Sequence, residues 1–321
     1  MKRPRFLASA AASLAAASVP IRARAEPSAY SLATATGTIA GTLELPATSG
    51  KLPVVLLIAG SGPTDRDGNN PMLPGKNDAL KQLALALSAR GIASVRYDKR
   101  GIGASAAAGP SEADLRIDAY VGDAVDWVRK LRADGRFSRI TIAGHSEGSL
   151  IGMIAAARGP ADGFVSLDGA GRPASVILRE QIAKQTSSSP ETRAQADHVV
   201  DELAAGRTVT EQPTALGPIF RTSAQQYIIS WFHYDPAHEI AAVRGRAAIV
   251  QGTADVQVSV VDGDRLHAAL PSANYVIVQG MNHVLKHAPD TSTPSAIVAG
   301  YTDPSLPIEP GVIDAVAGVA R

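Results

Sequence analysis

Apolar residues fall along this chain in two kinds of short run. Some are continuous over four to six positions and end near a glycine. Others recur every three or four positions. The first kind reads as a strand covered on both faces, the second as an amphipathic helix. Residues 54–59 (VVLLIA), followed by Gly60, are the clearest continuous run. Further strands are predicted at 92–97, 140–143, 164–167, 248–251 and 275–278. Helices are predicted at 79–88, with Leu80, Leu83 and Leu87 on one stripe, and at 118–131, with Val121, Val125 and Val128 at helical spacing. Two more are predicted at 147–157 and 312–320. Residues 31–36 and 38–45 alternate and predict a hairpin turning at Gly37.

Alternating β and α units predict an α/β fold, a mostly parallel sheet flanked by helices on both faces. Residues 172–240 interrupt the alternation. They pattern as helix and contain no clear strand, which predicts a helical cap inserted into a core formed by 26–171 and 241–321. Five of the chain's 14 aromatic residues lie within 220–234: Phe220, Tyr227, Trp231, Phe232 and Tyr234. Tyr227, Trp231 and Tyr234 share one helical face. That face is expected to pack the cap onto the body, to wall a substrate pocket, or to do both.

Composition narrows the class. With 321 residues, 45% apolar and 19% charged, the chain has material for one large globular domain or two ordinary ones. No run of 18 apolar residues occurs, so no membrane anchor is expected in the mature chain. The absence of cysteine excludes disulfides, thiolate metal sites and cysteine nucleophiles. The formal charge of +1 reflects the first 25 residues. There a basic start precedes a weakly apolar stretch at 6–19, Pro20 and an Ala23-Arg24-Ala25 cleavage signature. This is the layout of a secretory signal peptide, and it predicts cleavage after Ala25 and export to the periplasm or beyond. Five of the 31 basic residues and none of the 30 acidic ones fall in 1–25, so the remainder carries about −4. Nucleic acid is therefore not an expected partner.

The candidate chemistry begins at Gly144-His145-Ser146-Glu147-Gly148, which matches G-x-S-x-G between a predicted strand and a predicted helix. In that context the pentapeptide reads as a nucleophile elbow, with Ser146 on a strained turn and glycines where side chains would collide. The Glu147 N–H at the helix start is the first expected oxyanion donor. The loop 60–68 is expected to supply the second, from Ser61 or, failing that, Gly62; Pro63 has no N–H to offer. A serine nucleophile needs a base held in one tautomer by an acid. Asp255 lies four residues past the strand end at Gln251, and His283 five residues past Val278, so both loops meet the same sheet edge as Ser146. Their rivals are Asp168, which ends the 164–167 strand, and His287. His145 is expected to point away from the serine. His198, His233 and His238 lie in the insertion, and His267 precedes the last strand.

Two motifs are set aside. Asp65-x-Asp67-x-Asn69 opens like a calcium loop, but its sixth position is Asn70 and its twelfth Lys76, so no metal is expected. Residues 96–103 are glycine-rich after a strand, yet the first glycine comes late and Gly109-Pro110 blocks a helix, so no dinucleotide cofactor is expected. The charges of that loop are expected to pair internally. Arg66 or Arg100 is the expected partner of the Glu147 carboxylate, which otherwise sits buried beside the nucleophile.

The segments AGSGPTDRDGNN, RYDKRGIGAS, GHSEGSLIGMIAA, ISWFHYDP, QGTADVQV and GMNHVLKHAP resemble the α/β-hydrolase superfamily. Within it they are most similar to bacterial carboxylesterases of the EstD type, often grouped with serine-aminopeptidase-like hydrolases. The resemblance spans about 35–320. It implies a cofactor-free serine esterase acting on small-molecule esters of short to medium acyl groups through Ser146, His283 and Asp255. An aminopeptidase-like activity is the first alternative; it would use cap acids such as Glu191, Asp197, Asp201, Glu202 or Glu211 to hold an α-ammonium group. Thioesterase or acyltransferase chemistry on the same residues is the second. Asp168 departs from the resemblance, which implies a small neutral residue there.

Overall fold

The structure, a computed structural model, describes residues 26–185, 189–212, 214–288 and 290–321; the leader expected at 1–25 lies outside them. The first half of the chain runs β1 (Ser28–Thr34), β2 (Gly37–Glu44), β3 (Leu52–Ile58), α1 (Ala79–Ala89), β4 (Ala93–Tyr97), α2 (Ile117–Ala133), β5 (Phe137–His145), α3 (Glu147–Arg158) and β6 (Gly163–Leu167). Five helices follow: α4 (Ala174–Gln185), α5 (Pro190–Ala204), α6 (Gly217–Phe220), α7 (Thr222–Phe232) and α8 (Pro236–Ile240). The chain then returns to the sheet with β7 (Arg246–Gly252), α9 (Val260–Ala269), β8 (Asn274–Val278), α10 (Pro294–Tyr301) and α11 (Pro310–Ala320).

The eight strands form one sheet in the order β1-β2-β4-β3-β5-β6-β7-β8. The β1–β2 hairpin and the β2–β4 pair are antiparallel. Every pair from β4 through β8 is parallel, so the C-terminal ends of these strands share one edge. After β3 the chain first builds toward β4 and then reverses to β5 on the other side. A ligand crevice is expected outside the carboxyl ends of strands at such a reversal.

Continuous apolar runs follow from coverage on both faces. In β3, Val54, Leu56 and Ile58 join the core on one side, while Val55 and Leu57 join the core on the other. β7 divides in the same way, with Ile249 on the first side and Ala248 and Val250 on the second. The first side is packed by α2 and α3, through residues such as Trp127, Leu131 and Ile151. The second is packed by α1 and α11, through Leu83, Leu87, Val312 and Val316.

β6 and β7 are hydrogen-bonded neighbours, from Gly163↔Arg246 to Leu167↔Val250. The helices α4–α8 leave the sheet after the first of these strands and return before the second. They hold a third apolar cluster of their own, built from Ile182, Val199, Val200, Leu203, Phe220 and Ile228. Two features differ from the sequence pattern. β5 begins at Phe137, three residues before the apolar run, and α10 forms where no helix was expected.

Candidate active site

Ser146 lies between β5 and α3 with φ 54° and ψ −122°, a conformation that favours glycine. Main-chain geometry enforces it. The Ser146 N–H donates to Leu167 O at 2.9 Å, and Ser149 N–H donates back to Ser146 O at 2.9 Å. The flanking glycines are required by close approach. A Cβ on Gly144 would lie 2.0 Å from Gly148 O, and one on Gly148 would lie 2.4 Å from Ile58 O. The turn therefore presses the start of α3 against the end of β3.

The loops after β7 and β8 bring Asp255 and His283 together. His283 Nδ1 lies 2.7 Å from Asp255 Oδ2. Asp255 Oδ1 accepts the N–H groups of Gln257 (2.7 Å) and Val258 (3.0 Å). The Asp255 side chain is wholly buried and that of His283 is 6% exposed. A carboxylate only accepts, so Nδ1 carries a proton. Asn282 shapes the histidine loop. Its Oδ1 accepts from Val284 N and Lys286 N, and its N–H donates to Lys286 O. Ser146 Oγ has no hydrogen bond to His283 among the described contacts, as is common where catalytic bonds tighten only around substrate.

Gly60 sits against the elbow, where an added Cβ would lie 3.2 Å from Ser146 Cβ. The next residue, Ser61, shares with Ser146 and Glu147 a cavity of about 70 Å³. Ala174, Ile177 and Leu178 from α4 and Trp231 from α7 close it from the inserted segment. Arg172 also lines it, but its guanidinium is held by Asp262 at 2.8 and 2.9 Å and by Glu180 at 3.0 Å. A larger cavity of about 740 Å³, between α5 and residues 208–212, contains none of these groups.

A family model described as "Serine aminopeptidase, S33" matches residues 76–221. Esterase EstD of Thermotoga maritima is 24% identical over 257 residues, covering 79% of this chain. The chain spans 60% of the length of that curated relative. Among solved structures, Est1E from Butyrivibrio proteoclasticus superposes with a TM-score of 0.54 at 15% identity, over 80% of this chain and 90% of that one. The α/β hydrolase GrgF from Penicillium sp. sh18 gives 0.57 at 18% identity, over 81% and 91%. The chain has the α/β-hydrolase fold.

In this fold the Glu147 carboxylate is neutralised by Lys99, not by either arginine. Lys99 Nζ lies 2.7 Å from Glu147 Oε2, with both side chains nearly inaccessible. Arg66 instead pairs with Asp98 at 2.7 Å, and Arg100 pairs with Asp123. Lys99 also donates to Gly60 O at 2.7 Å. The other Glu147 oxygen accepts the Tyr227 hydroxyl at 2.7 Å. Burial and the adjacent Glu147 carboxylate push the Tyr227 phenol well above its ordinary pKa, so it stays a donor. The aromatic residues of the segment therefore do two jobs. Trp231 walls the cavity, while Tyr234, two residues past the end of α7, reaches Asp118 Oδ1 at 2.5 Å and ties the segment to the body.

The rival residues have other places. His287 is 67% exposed and lies 3.2 Å from Glu309. His145 turns under the histidine loop: its Nε2–H donates to His283 O at 2.6 Å. Burial, then the neighbouring His283, lower its pKa to about 3, so the ring is neutral. Asp168 is fully buried with φ 45°. Its Oδ1 accepts from Gly252 N at 2.8 Å, and its Oδ2 has no hydrogen-bond partner among the described residues. Burial, then repulsion from Asp255, raise the pKa of its carboxyl well above the usual range. One polar atom each from Asp168, Asp255 and His283 lie within 4.8 Å of one another. Those of Asp255 and His283 are already engaged with each other, which leaves this trio poorly suited to a cation.

Proposed function

We propose that this chain hydrolyses small-molecule carboxylic esters by acyl transfer from Ser146 to water. The observation that carries the reading is the buried Asp255–His283 pair, fixed through two loop amides, at the sheet edge that also presents Ser146. Ser146 Oγ attacks the ester carbonyl carbon while His283 Nε2 accepts its proton. Asp255 keeps the imidazole oriented and stabilises its cation. The tetrahedral oxyanion is held by the N–H groups of Glu147 and Ser61, each such donor contributing about 3–4 kcal/mol in comparable sites. The imidazolium then gives its proton to the leaving alcohol. Water, deprotonated by the same nitrogen, attacks the acyl-enzyme and releases the acid and free Ser146.

The walls of the cavity support the substrate class. On the α4 and α7 sides they are apolar except for Gln181, whose amide donates to Gln257 O, and Arg172 is already paired with two carboxylates. A volume of about 70 Å³ favours short acyl groups over long ones. The family match carries the word aminopeptidase, and a peptidase would need a free carboxylate to take an α-ammonium group. The carboxylate among the lining residues is Glu147, whose oxygens are taken by Lys99 and Tyr227. We therefore favour esters. The reading extends to 172–240 as a cap that selects the acyl group and to 1–25 as an export signal.

The test is release of p-nitrophenol from acetate, butyrate and octanoate esters by residues 26–321, wild type beside Ser146→Ala. Turnover that favours the shorter esters and falls about 10⁴-fold or more in the variant is expected. Equal turnover in both proteins would remove Ser146 from the mechanism. Turnover of aminoacyl anilides in preference to all three esters would replace the reading with a peptidase.

A further inference from the structure

Lys99 is a cation with almost no access to water, 1% exposed, and its ammonium group has two acceptors. One is the Glu147 carboxylate and the other is Gly60 O, each at 2.7 Å. It also lies 4.9 Å from the centre of the Tyr120 ring. A buried ion pair of this kind adds little net stability over a well-packed apolar pair. Its position suggests another use.

Gly60 O and the Ser61 N–H belong to the same peptide unit. In a planar trans peptide the C=O and N–H point in opposite directions. Anchoring the oxygen to Lys99 therefore fixes the direction of the N–H. A charged donor on that oxygen also polarises the amide and strengthens its N–H as a donor. The other ligand of Lys99 is the side chain of Glu147, whose own N–H opens α3 beside Ser146. One ammonium thus joins the two residues that carry the proposed oxyanion donors. The far oxygen of Glu147 accepts the hydroxyl of Tyr227 on α7, within the inserted segment.

We propose that Lys99 is the positioning residue of the oxyanion hole. It holds the Gly60–Ser61 peptide with its N–H toward the reacting carbonyl, and through Glu147 and Tyr227 it ties that geometry to the seating of α7. Lys99 touches no substrate atom; it acts through the Gly60 carbonyl and the Glu147 carboxylate. The inference rests on the esterase reading above.

Lys99→Met alone strands a buried Glu147 and can fail to fold for that reason. The working variant is Lys99→Met with Glu147→Gln, which removes both charges and keeps an acceptor for Tyr227. With p-nitrophenyl acetate, kcat is expected to fall about 10- to 100-fold with KM within about threefold, the pattern of a donor that matters in the transition state. Affinity for a trifluoromethyl ketone, which forms a charged tetrahedral adduct, is expected to fall in parallel. A merely structural ion pair would lower the melting temperature and leave kcat of the folded enzyme unchanged, and that result would overturn the inference. Tyr227→Phe in the wild-type background is expected to lower kcat about three- to tenfold, and to have no further effect in the double variant. Full additivity would break the proposed link to α7. If Ser146→Ala loses activity while the double variant keeps it, the esterase reading stands and this one fails. If Ser146→Ala keeps activity, the esterase reading fails first.

Discussion

His145 and His283 lie with ring centres 4.8 Å apart, and the first ring donates a hydrogen bond to the main-chain carbonyl of the second. The residue before Ser146 thus supports the loop that carries His283. It was expected to point away from the site, because neighbours in a strand alternate in direction. The His145 ring nevertheless meets the histidine loop, with its Nε2 2.6 Å from His283 O.

The neutrality of His145 has a cost in acid. Its pKa is lowered from 6.5 to about 3 in the folded protein. The unfolded chain takes up this proton first, so stability present above pH 6.5 is lost as the pH falls toward 3. The ring keeps some solvent contact, so the loss should be a few kcal/mol at most. His145→Gln, which can still donate to His283 O, is expected to close the gap with wild type as pH falls from 7 to 4. Urea midpoints across that range measure it. Parallel curves would mean that His145 protonates equally well in the folded state.

Asp168 shifts the balance in the opposite sense. A carboxyl with a raised folded-state pKa binds its proton more tightly in the native protein. Stability is then lost as pH rises from about 4 toward the raised value. Asp168→Asn keeps the acceptor for Gly252 N and cannot ionise. Its melting temperature relative to wild type is expected to climb steadily from pH 4 to pH 8, with kcat at pH 7 within about threefold. A collapse of kcat in this variant would make Asp168 a working acid of the site.

Ser146 stores backbone strain of about 1–3 kcal/mol at φ 54°. Ser146→Gly is expected to abolish turnover and raise stability by about 1 kcal/mol, since glycine adopts this region freely but loses more chain entropy. Thermal unfolding beside Ser146→Ala isolates the backbone contribution, because alanine keeps the Cβ. A glycine variant less stable than the alanine one would contradict the strain.

Trp231 closes the α7 side of the cavity. Trp231→Ala is expected to raise the octanoate-to-acetate ratio of kcat/KM by about tenfold or more, since the removed ring opens space for further methylenes. An unchanged ratio would direct the acyl group away from α7.

Much of this architecture is readable from residue pattern. Val54–Ile58 and Ile249–Val250 are apolar at every position because each face meets a helix layer, and that alone implies a covered parallel sheet. Gly144 and Gly148 are dictated by contacts of 2.0 and 2.4 Å, so the elbow carries its own signature. Asp255 and His283 follow from loop position, since parallel strands end at one edge. The partner of Glu147 was not readable. Arg66, Lys99 and Arg100 are all near in sequence to the elbow's neighbours, and a loop gives no periodicity to say which of them turns inward. Asp98 and Asp123 claim the arginines and leave Lys99. α10 was missed because it is short, although Thr293, whose Oγ1 accepts from Ala296 N, is an ordinary cap before Pro294.

The inserted helices begin and end at two strands that are already bonded to each other. The β6–β7 ladder pairs directly, with no strand contributed by the segment between Leu167 and Arg246. The insertion in turn has a core of its own. The helices that help line the cavity and the turn that holds Ser146 thus come from different parts of the chain. A different helical segment grafted between the same strands would keep the elbow, Asp255 and His283 in register while presenting a new pocket. The transplant would have to rebuild the contacts the present segment makes with the core, among them Tyr227–Glu147, Tyr234–Asp118 and Arg172–Asp262.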